Sequence, residues 1–396
     1  MQLTKQPTNE RVYSLDALRG IMMMLGIVIH ASITYGTLDY GNTWPLKDTK
    51  SNHLYFDIIV SFIHAFRMPV FFVAAGYFGA LLFYKKGSMG MIRNRINRIL
   101  FPLVAGVLII YPLVVFAFVY SNATISGAPG AWQQATSTIT SGNFLPFRTV
   151  HLWFIYYLIL FSVAGWLIDN LLNRMPKVIN AVDALFKKII LNFWVSLLCS
   201  CLLVFFCLYW MGTTFLKTNS TFQIEGAVFV TYFVFYGMGW MLYRTDSLKQ
   251  FSKNCWVQLG IATLLFLVGT FAPWPKAAWT LLINQVITAL YTPLFVFGFI
   301  ALFQTYFHSY SRRLNYLMEA SYWVYIVHLP IVAFIPGLIG GLALPVLIKF
   351  LIVFSVTTLS CFLSYHYLVR GSFIGKFLNG KIIKTKQIAP QLVAVK

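Results

Sequence analysis

Ten stretches of the chain are almost wholly apolar, and each is close to the length that crosses a bilayer. They cover residues 14–36, 54–84, 99–120, 150–168, 189–211, 226–243, 256–272, 279–304, 318–336 and 345–368. A helix needs about 20 apolar residues to span the hydrocarbon core. The pattern predicts an all-α polytopic membrane protein with about ten transmembrane helices. The second stretch is long and is expected to tilt or break near Pro69. The fifth to seventh carry few ionisable groups and are expected to act as scaffold.

The polar connections set the orientation. KKGSMGMIRNRINR (85–98) is strongly basic and joins the second and third stretches. Segments 173–188, 244–253 and 311–319 are also net basic, as is the tail with Arg370, Lys376, Lys381, Lys384 and Lys386. These are the even-numbered gaps and the C-terminal end. The odd gaps are poor in Lys and Arg, and 121–149 has only Arg148. Cytoplasmic loops collect Lys and Arg, so both termini are expected in the cytoplasm. The expected organisation is a cytoplasmic N-terminal segment (1–13), one transmembrane domain (14–368) and a basic cytoplasmic tail (369–396). The first dozen residues are polar, no small-residue cleavage pattern follows the first run, and Asp16 and Arg19 sit near its start. That run reads as a retained helix rather than a signal peptide.

Composition agrees. Of 396 residues, 59% are hydrophobic and 10% charged, where soluble domains carry about a quarter charged. The net charge of +20 invites a nucleic-acid partner, but the basic gaps account for it. The lipid bilayer is the expected partner and nucleic acid is not. The cysteines (Cys199, Cys201, Cys207, Cys255, Cys361) lie in or beside apolar stretches without histidine at ligand spacing, so no metal is expected. No P-loop, GxGxxG or GxSxG pattern is present.

Ionisable groups inside spans are costly and usually functional. Here they concentrate in the first, second, fourth and ninth helices. In RGIMMMLGIVIH (19–30), Arg19 lies near the cytoplasmic face and His30 eleven residues on, about 16 Å further out. Eleven residues are almost three turns, so the two share a face. SFIHAFRMPVFF (61–72) puts His64 and Arg67 on one face of the second helix. HLWF (151–154) opens the fourth helix with His151, and SYWVYIVHLP (321–330) holds His328 near mid-depth. Arg95 and Arg98 precede the third helix. The expected arrangement is a polar column, with Arg19, Arg95 and Arg98 at its inner mouth and His30, His64, Arg67, His151 and His328 further out. Arginine forks suit phosphate, and imidazole suits proton transfer. Blander readings stand beside these. Arg19 fits a snorkelling anchor, Arg95 and Arg98 fit topology determinants, and a single membrane histidine fits an interhelical hydrogen bonder. Asp57 is expected solvated at an outer helix end. Asp16 and Glu319 suit pairing with arginines as well as chemistry. Arg67 is the hardest to explain without a polar cavity.

These stretches together resemble the membrane-bound acyltransferase-3 family. SLDALRGIMMMLGIVIH looks like its first-helix signature, NRINRILFP (94–102) its R-x-x-R motif, and FFVAAGYF (71–78) its second-helix stretch, with Ala75 where Ser is common. HLWF and SYWVYIVHLP are similar to its later signatures, while 180–280 resembles it weakly. FIHAFRM (62–68) looks closest to the branch of glucan biosynthesis protein C, described as succinylating periplasmic glucans. The resemblance implies a multi-pass enzyme of the bacterial inner membrane, an O-succinyl- or O-acetyltransferase. It implies acyl-CoA (succinyl-CoA or acetyl-CoA) as cytoplasmic co-substrate, an extracytoplasmic glycan as acceptor, and possible association with glucan synthesis machinery. On that reading Arg19, Arg95 and Arg98 bind the CoA phosphates, and His30 is the general base. Arg67 and His64 orient substrate or stabilise the oxyanion. His151, Trp153, Tyr325, His328 and Asp16 shape the cavity. The competing expectation is a transporter or exporter of a polysaccharide or organic anion, since a histidine-lined column also fits proton-coupled transport. The chain shows no repeated halves of the sort common in transporters.

Overall fold

Long apolar runs bounded by Gly, Pro and Asn become helices, and every regular element among the described residues is helical. The computed structural model describes residues 12–251, 254–275 and 277–379. Most of the expected N-terminal segment 1–13 and the part of the basic tail from 380 onward lie outside them.

The first half of the chain holds α1 (Tyr13–Ile33), α2 (Leu54–Arg95), the short α3 (Phe101–Ala105), α4 (Tyr111–Ser126), α5 (Ala131–Thr140), α6 (Trp153–Leu172) and α7 (Pro176–Leu191). The second half holds α8 (Phe193–Met211), α9 (Gly226–Arg244), α10 (Cys255–Phe271), α11 (Ala278–Tyr306), α12 (Arg312–Ile339), α13 (Val346–Ser364) and α14 (Phe373–Asn379). Eight of the helical runs are long and apolar enough to cross a membrane, among them the continuous run Leu54–Ser126. That run has 73 residues, about 110 Å of helix, enough for two passes. Cys255–Phe271 is a shorter apolar helix. Taken this way, the ten apolar stretches of the sequence each find a helix.

The second stretch (54–84) does not break at Pro69. Helix α2 runs through Pro69, and its one non-helical residue is Gly87, at φ 71° and ψ 172°. A membrane helix tolerates proline because its neighbours hold the turn. A Cβ on Gly79 would come within 3.3 Å of Arg95 Nη2, sixteen residues on and about 24 Å away along a straight helix, so the chain reverses near Gly87. The basic stretch 85–98 is therefore helical on both sides of a kink rather than a loop.

Helix α1 packs between α2 and α12, and α12 also packs on α4 and α13. On the other side α2 packs on α9 and α11, with α10 and α8 against α11. The α2–α9 crossing is backbone on backbone. A Cβ on Gly76 would sit 1.8 Å from the Tyr236 carbonyl oxygen, and one on Gly239 would sit 1.8 Å from that of Val73. Small residues allow such approach between membrane helices. Asp169 closes one end of this half of the bundle. It accepts from Tyr84 Oη (2.6 Å), Asn173 Nδ2 (2.9 Å), Trp240 Nε1 (3.3 Å) and Arg244 Nη1 (3.4 Å).

Both described ends of the chain meet on one side. Tyr13 packs edge-on against Tyr310 (6.0 Å), and α14 packs on α12 and on the 96–100 turn that carries Arg98. This is the basic side that the charge pattern assigns to the cytoplasm. One charged group was missed inside a span. Lys349 in α13 is buried, and its Nζ lies 2.8 Å from Asp48 Oδ2. Asp57 is buried too, not solvated as expected. It accepts from Thr37 N (2.6 Å), Thr37 Oγ1 (2.7 Å) and Leu38 N (3.3 Å). The turn leaving α1 has unpaired N–H groups, and this carboxylate satisfies them.

Candidate functional site

Arg67 lies across α1. Its Nε donates to the Met22 carbonyl oxygen at 2.9 Å. A Cβ on Gly26 would come within 2.7 Å of Arg67 Nη2 and 3.7 Å of His328 Nε2. The guanidinium thus uses a place where α1 has no side chain. No carboxylate pairs with it among the described residues. A half-buried cation without a counter-charge leaves its other N–H groups available to an anion or a developing oxyanion.

Two histidines are fixed by carbonyls that proline and helix geometry provide. Pro330 has no N–H, so the Ile326 carbonyl lacks its usual partner in α12. His151 Nε2 sits 3.0 Å from that oxygen. Since a carbonyl only accepts, Nε2 carries the proton and Nδ1 keeps a lone pair. The His151 Nδ1 is buried with no partner. His328 turns back on its own helix, with Nδ1 at 3.0 Å from the Val324 carbonyl and 2.9 Å from that of Tyr325. Its Nε2 is then the lone-pair nitrogen, also buried and unpartnered. Tyr325 Oη donates to the His151 carbonyl, tying α12 to the start of α6.

His30 completes the group. Its ring lies 5.3 Å from His328, and His328 lies 5.2 Å from His151. On its other face His30 stacks on Trp44 at 5.2 Å and 11°. Its Nδ1 has no partner. His30, His64, Arg67, His151, Trp153, Tyr325 and His328 all line one cavity of about 680 Å³. The structure brings these seven together from α1, α2, α12, the start of α6 and the turn before it.

The rest of the wall was not foreseen. The 34–53 connection contributes Tyr40, Thr43 and Trp44, and the connection after α8 contributes Thr214 to Thr218, including Lys217. Burial pushes the Tyr40 hydroxyl up to about 12, with the Asp57 carboxylate adding to it, so it faces the cavity neutral. The seventh span is more than scaffold, because α10 contributes Phe266, Gly269 and Thr270. Helix α11 adds Asn284, Thr288, Tyr291 and Thr292. Lys217 had one signal in the sequence, a cation in a gap otherwise short of them. Among the described residues the wall contains no Asp or Glu.

Arg19, Arg95, Arg98 and Asp16 do not line this cavity. They form a second group toward the basic side. Arg19 pairs with Asp16 at 3.0 Å, its guanidinium 5.2 Å from the centre of the Phe78 ring. It lies within electrostatic range of both Arg95 and Arg98. The Arg95 Nε and Nη2 atoms are buried, and the guanidinium lies beside the Tyr236 hydroxyl, its polar neighbour there. Tyr322 Oη donates to the Arg98 carbonyl at 2.9 Å. The expected single column is thus two polar groups at opposite ends of α1, with the Arg67–Met22 contact between them.

Residues 12–366 match the family model described as an acyltransferase domain. Relatives named glucans biosynthesis protein C are 25% identical over 341 residues, covering 82% of this chain and 83% of theirs. They come from Escherichia coli O157:H7, Escherichia coli strain K12 and Shigella dysenteriae serotype 1 (strain Sd197). No solved structure matches the chain.

Proposed function

This chain belongs to the acyltransferase family matched by residues 12–366, and from that premise we propose that it moves an acyl group from cytoplasmic acyl-CoA to hydroxyls of an extracytoplasmic glycan. The relatives named for glucan biosynthesis favour a glucan as that glycan, in the bacterial inner membrane. The observation that carries the reading is the convergence of His30, His64, Arg67, His151 and His328 on one cavity with no acid in its wall.

His30 takes the proton of the acceptor hydroxyl as its oxygen attacks the thioester carbonyl. Arg67, with His64, faces the oxyanion that develops there. The C–S bond then breaks, the ester forms, and the CoA thiolate leaves with a proton. Arg95, with Arg19 and Arg98, suits the phosphates of CoA on the cytoplasmic side. Asp16 holds Arg19 rather than touching the acyl group. The charged side chains of the cavity wall, Arg67 and Lys217, are both cationic. That favours an acyl group ending in a carboxylate, succinyl over acetyl.

The test is turnover in membranes given labelled succinyl-CoA or acetyl-CoA and a soluble glucan. Wild type should release free CoA and label the glucan, with succinyl-CoA preferred. The His30→Ala chain should remain in the membrane and do neither. Movement of glucan without CoA release would instead favour a transporter, and full turnover by His30→Ala would remove His30 from the chemistry.

A further inference from the structure

Residues 34–53 cross the outer end of the bundle as a strap between α1 and α2. The strap is pinned at several points. Asp48 N donates to the Thr34 carbonyl (2.9 Å), His53 N donates to that of Tyr35 (2.9 Å), and Trp44 Nε1 donates to Thr34 Oγ1 (3.1 Å). Among the described residues one pin is ionic and reaches a distant helix. Lys349 Nζ on α13 lies 2.8 Å from Asp48 Oδ2, with the two side chains 1% and 2% exposed. Asp48 Oδ1 meanwhile accepts from Lys50 N and Ser51 N, both at 3.0 Å. The carboxylate therefore shapes the strap and anchors it at the same time. Between these pins Trp44 is buried, with Phe118 against its edge at 4.9 Å and His30 stacked on its face.

We propose that the buried Asp48–Lys349 pair is a positioning device for His30, holding the strap on α13 so that Trp44 fixes the imidazole plane and closes that side of the cavity. The inference rests on the reading of His30 as the base. Removing one partner leaves a lone charge in an apolar core, and that charge is stable only if it reaches water. For Asp48, reaching water lifts the strap and takes Trp44 off His30. Removing both charges leaves nothing to drive the movement.

The experiment uses the full chain in nanodiscs and the imidazole reagent diethylpyrocarbonate, with modification read by peptide mass spectrometry. In Lys349→Met, carbethoxylation of His30 should rise several-fold relative to exposed His366. kcat should fall about tenfold while KM for the acyl-CoA stays unchanged, as for a displaced catalytic group. Asp48→Asn/Lys349→Met should return both readouts most of the way to wild type. Trp44→Ala, with the pair intact, should expose His30 to the same extent, which keeps the test open if Lys349→Met fails to fold. Unchanged His30 protection in folded Lys349→Met or in Trp44→Ala overturns the proposal. Protection is measured without turnover, so an active His30→Ala would sink the reading of His30 as base while the strap result stood.

Discussion

Arg67 donates to the Met22 carbonyl oxygen across the α1–α2 contact, with Nη2 lying over Gly26 and next to His328. The bond is made to backbone, so its position is set by α1 itself and not by a second side chain. The cation sits at the boundary between the histidine cavity and the arginine group.

Gly26→Ala tests that placement. The new Cβ would meet Arg67 Nη2 at 2.7 Å, and the far end of a long side chain can move aside. Folding should be nearly unaffected, whereas turnover should fall by at least about tenfold because the guanidinium shifts. Thermal melting in detergent and CoA release, measured on the same sample, separate the two effects. A fully active Gly26→Ala would show that the position of Nη2 does not matter.

Arg67→Lys keeps the charge and loses the fork. A lysine cannot bond the Met22 carbonyl and present further N–H groups in the same fixed geometry. The expected loss in kcat is about 100-fold, on the scale of removing an oxyanion donor. Recovery to within about threefold of wild type would mean that charge alone suffices there.

Gly76→Ala tests the helix crossing. Its Cβ would fall 1.8 Å from the Tyr236 carbonyl, and backbone cannot rotate away. A loss on the order of 3 kcal/mol is expected, visible as a large drop in melting temperature or absence of folded protein. Gly237→Ala on the same α9 meets nothing within 4 Å and should be neutral.

Asp169→Asn tests the buried hub. Arg244 keeps Asp183 at 3.0 Å but loses one buried partner, so destabilisation of about 2 kcal/mol is expected. CoA release per folded molecule should stay the same, because Asp169 is remote from the cavity wall. A drop in specific activity without loss of stability would contradict that separation.

The fold was legible because membrane insertion imposes length and charge rules that act locally. The seven cavity residues were legible for a related reason. A histidine or arginine inside an apolar run stands out, and helix periodicity gives its face. The far wall was not legible, because threonine, asparagine and tyrosine in α10 and α11 carry no such cost and look like ordinary span residues. Lys349 shows the limit from the other side. It stands out in its run, but its partner Asp48 is about 300 residues away in the chain, and only tertiary packing joins them. Asp57 was misjudged because its position at a helix start suggested solvent, whereas the strap folds over it. The tilt or break expected near Pro69 is not a break, since periodicity does not tell a buried proline that stays helical from one that ends a helix, and the non-helical Gly87 lies beyond that stretch in the basic connection.

The backbone contacts of Gly76 with Tyr236 and of Gly239 with Val73 also govern how the molecule can deform. Two helices whose peptide planes touch have no side-chain cushion to compress, so sliding or twisting there meets hard repulsion at once. Helices α2 and α9 behave as one stiff beam, and Arg67 and His64 ride on it. Any breathing that admits a bulky acceptor must then come from the opposite wall, where α10 and α11 meet the beam through side chains that can change rotamer. The site is built like a vice with one fixed jaw, Arg67 and His64 on the fixed side and the adaptable surface on the other.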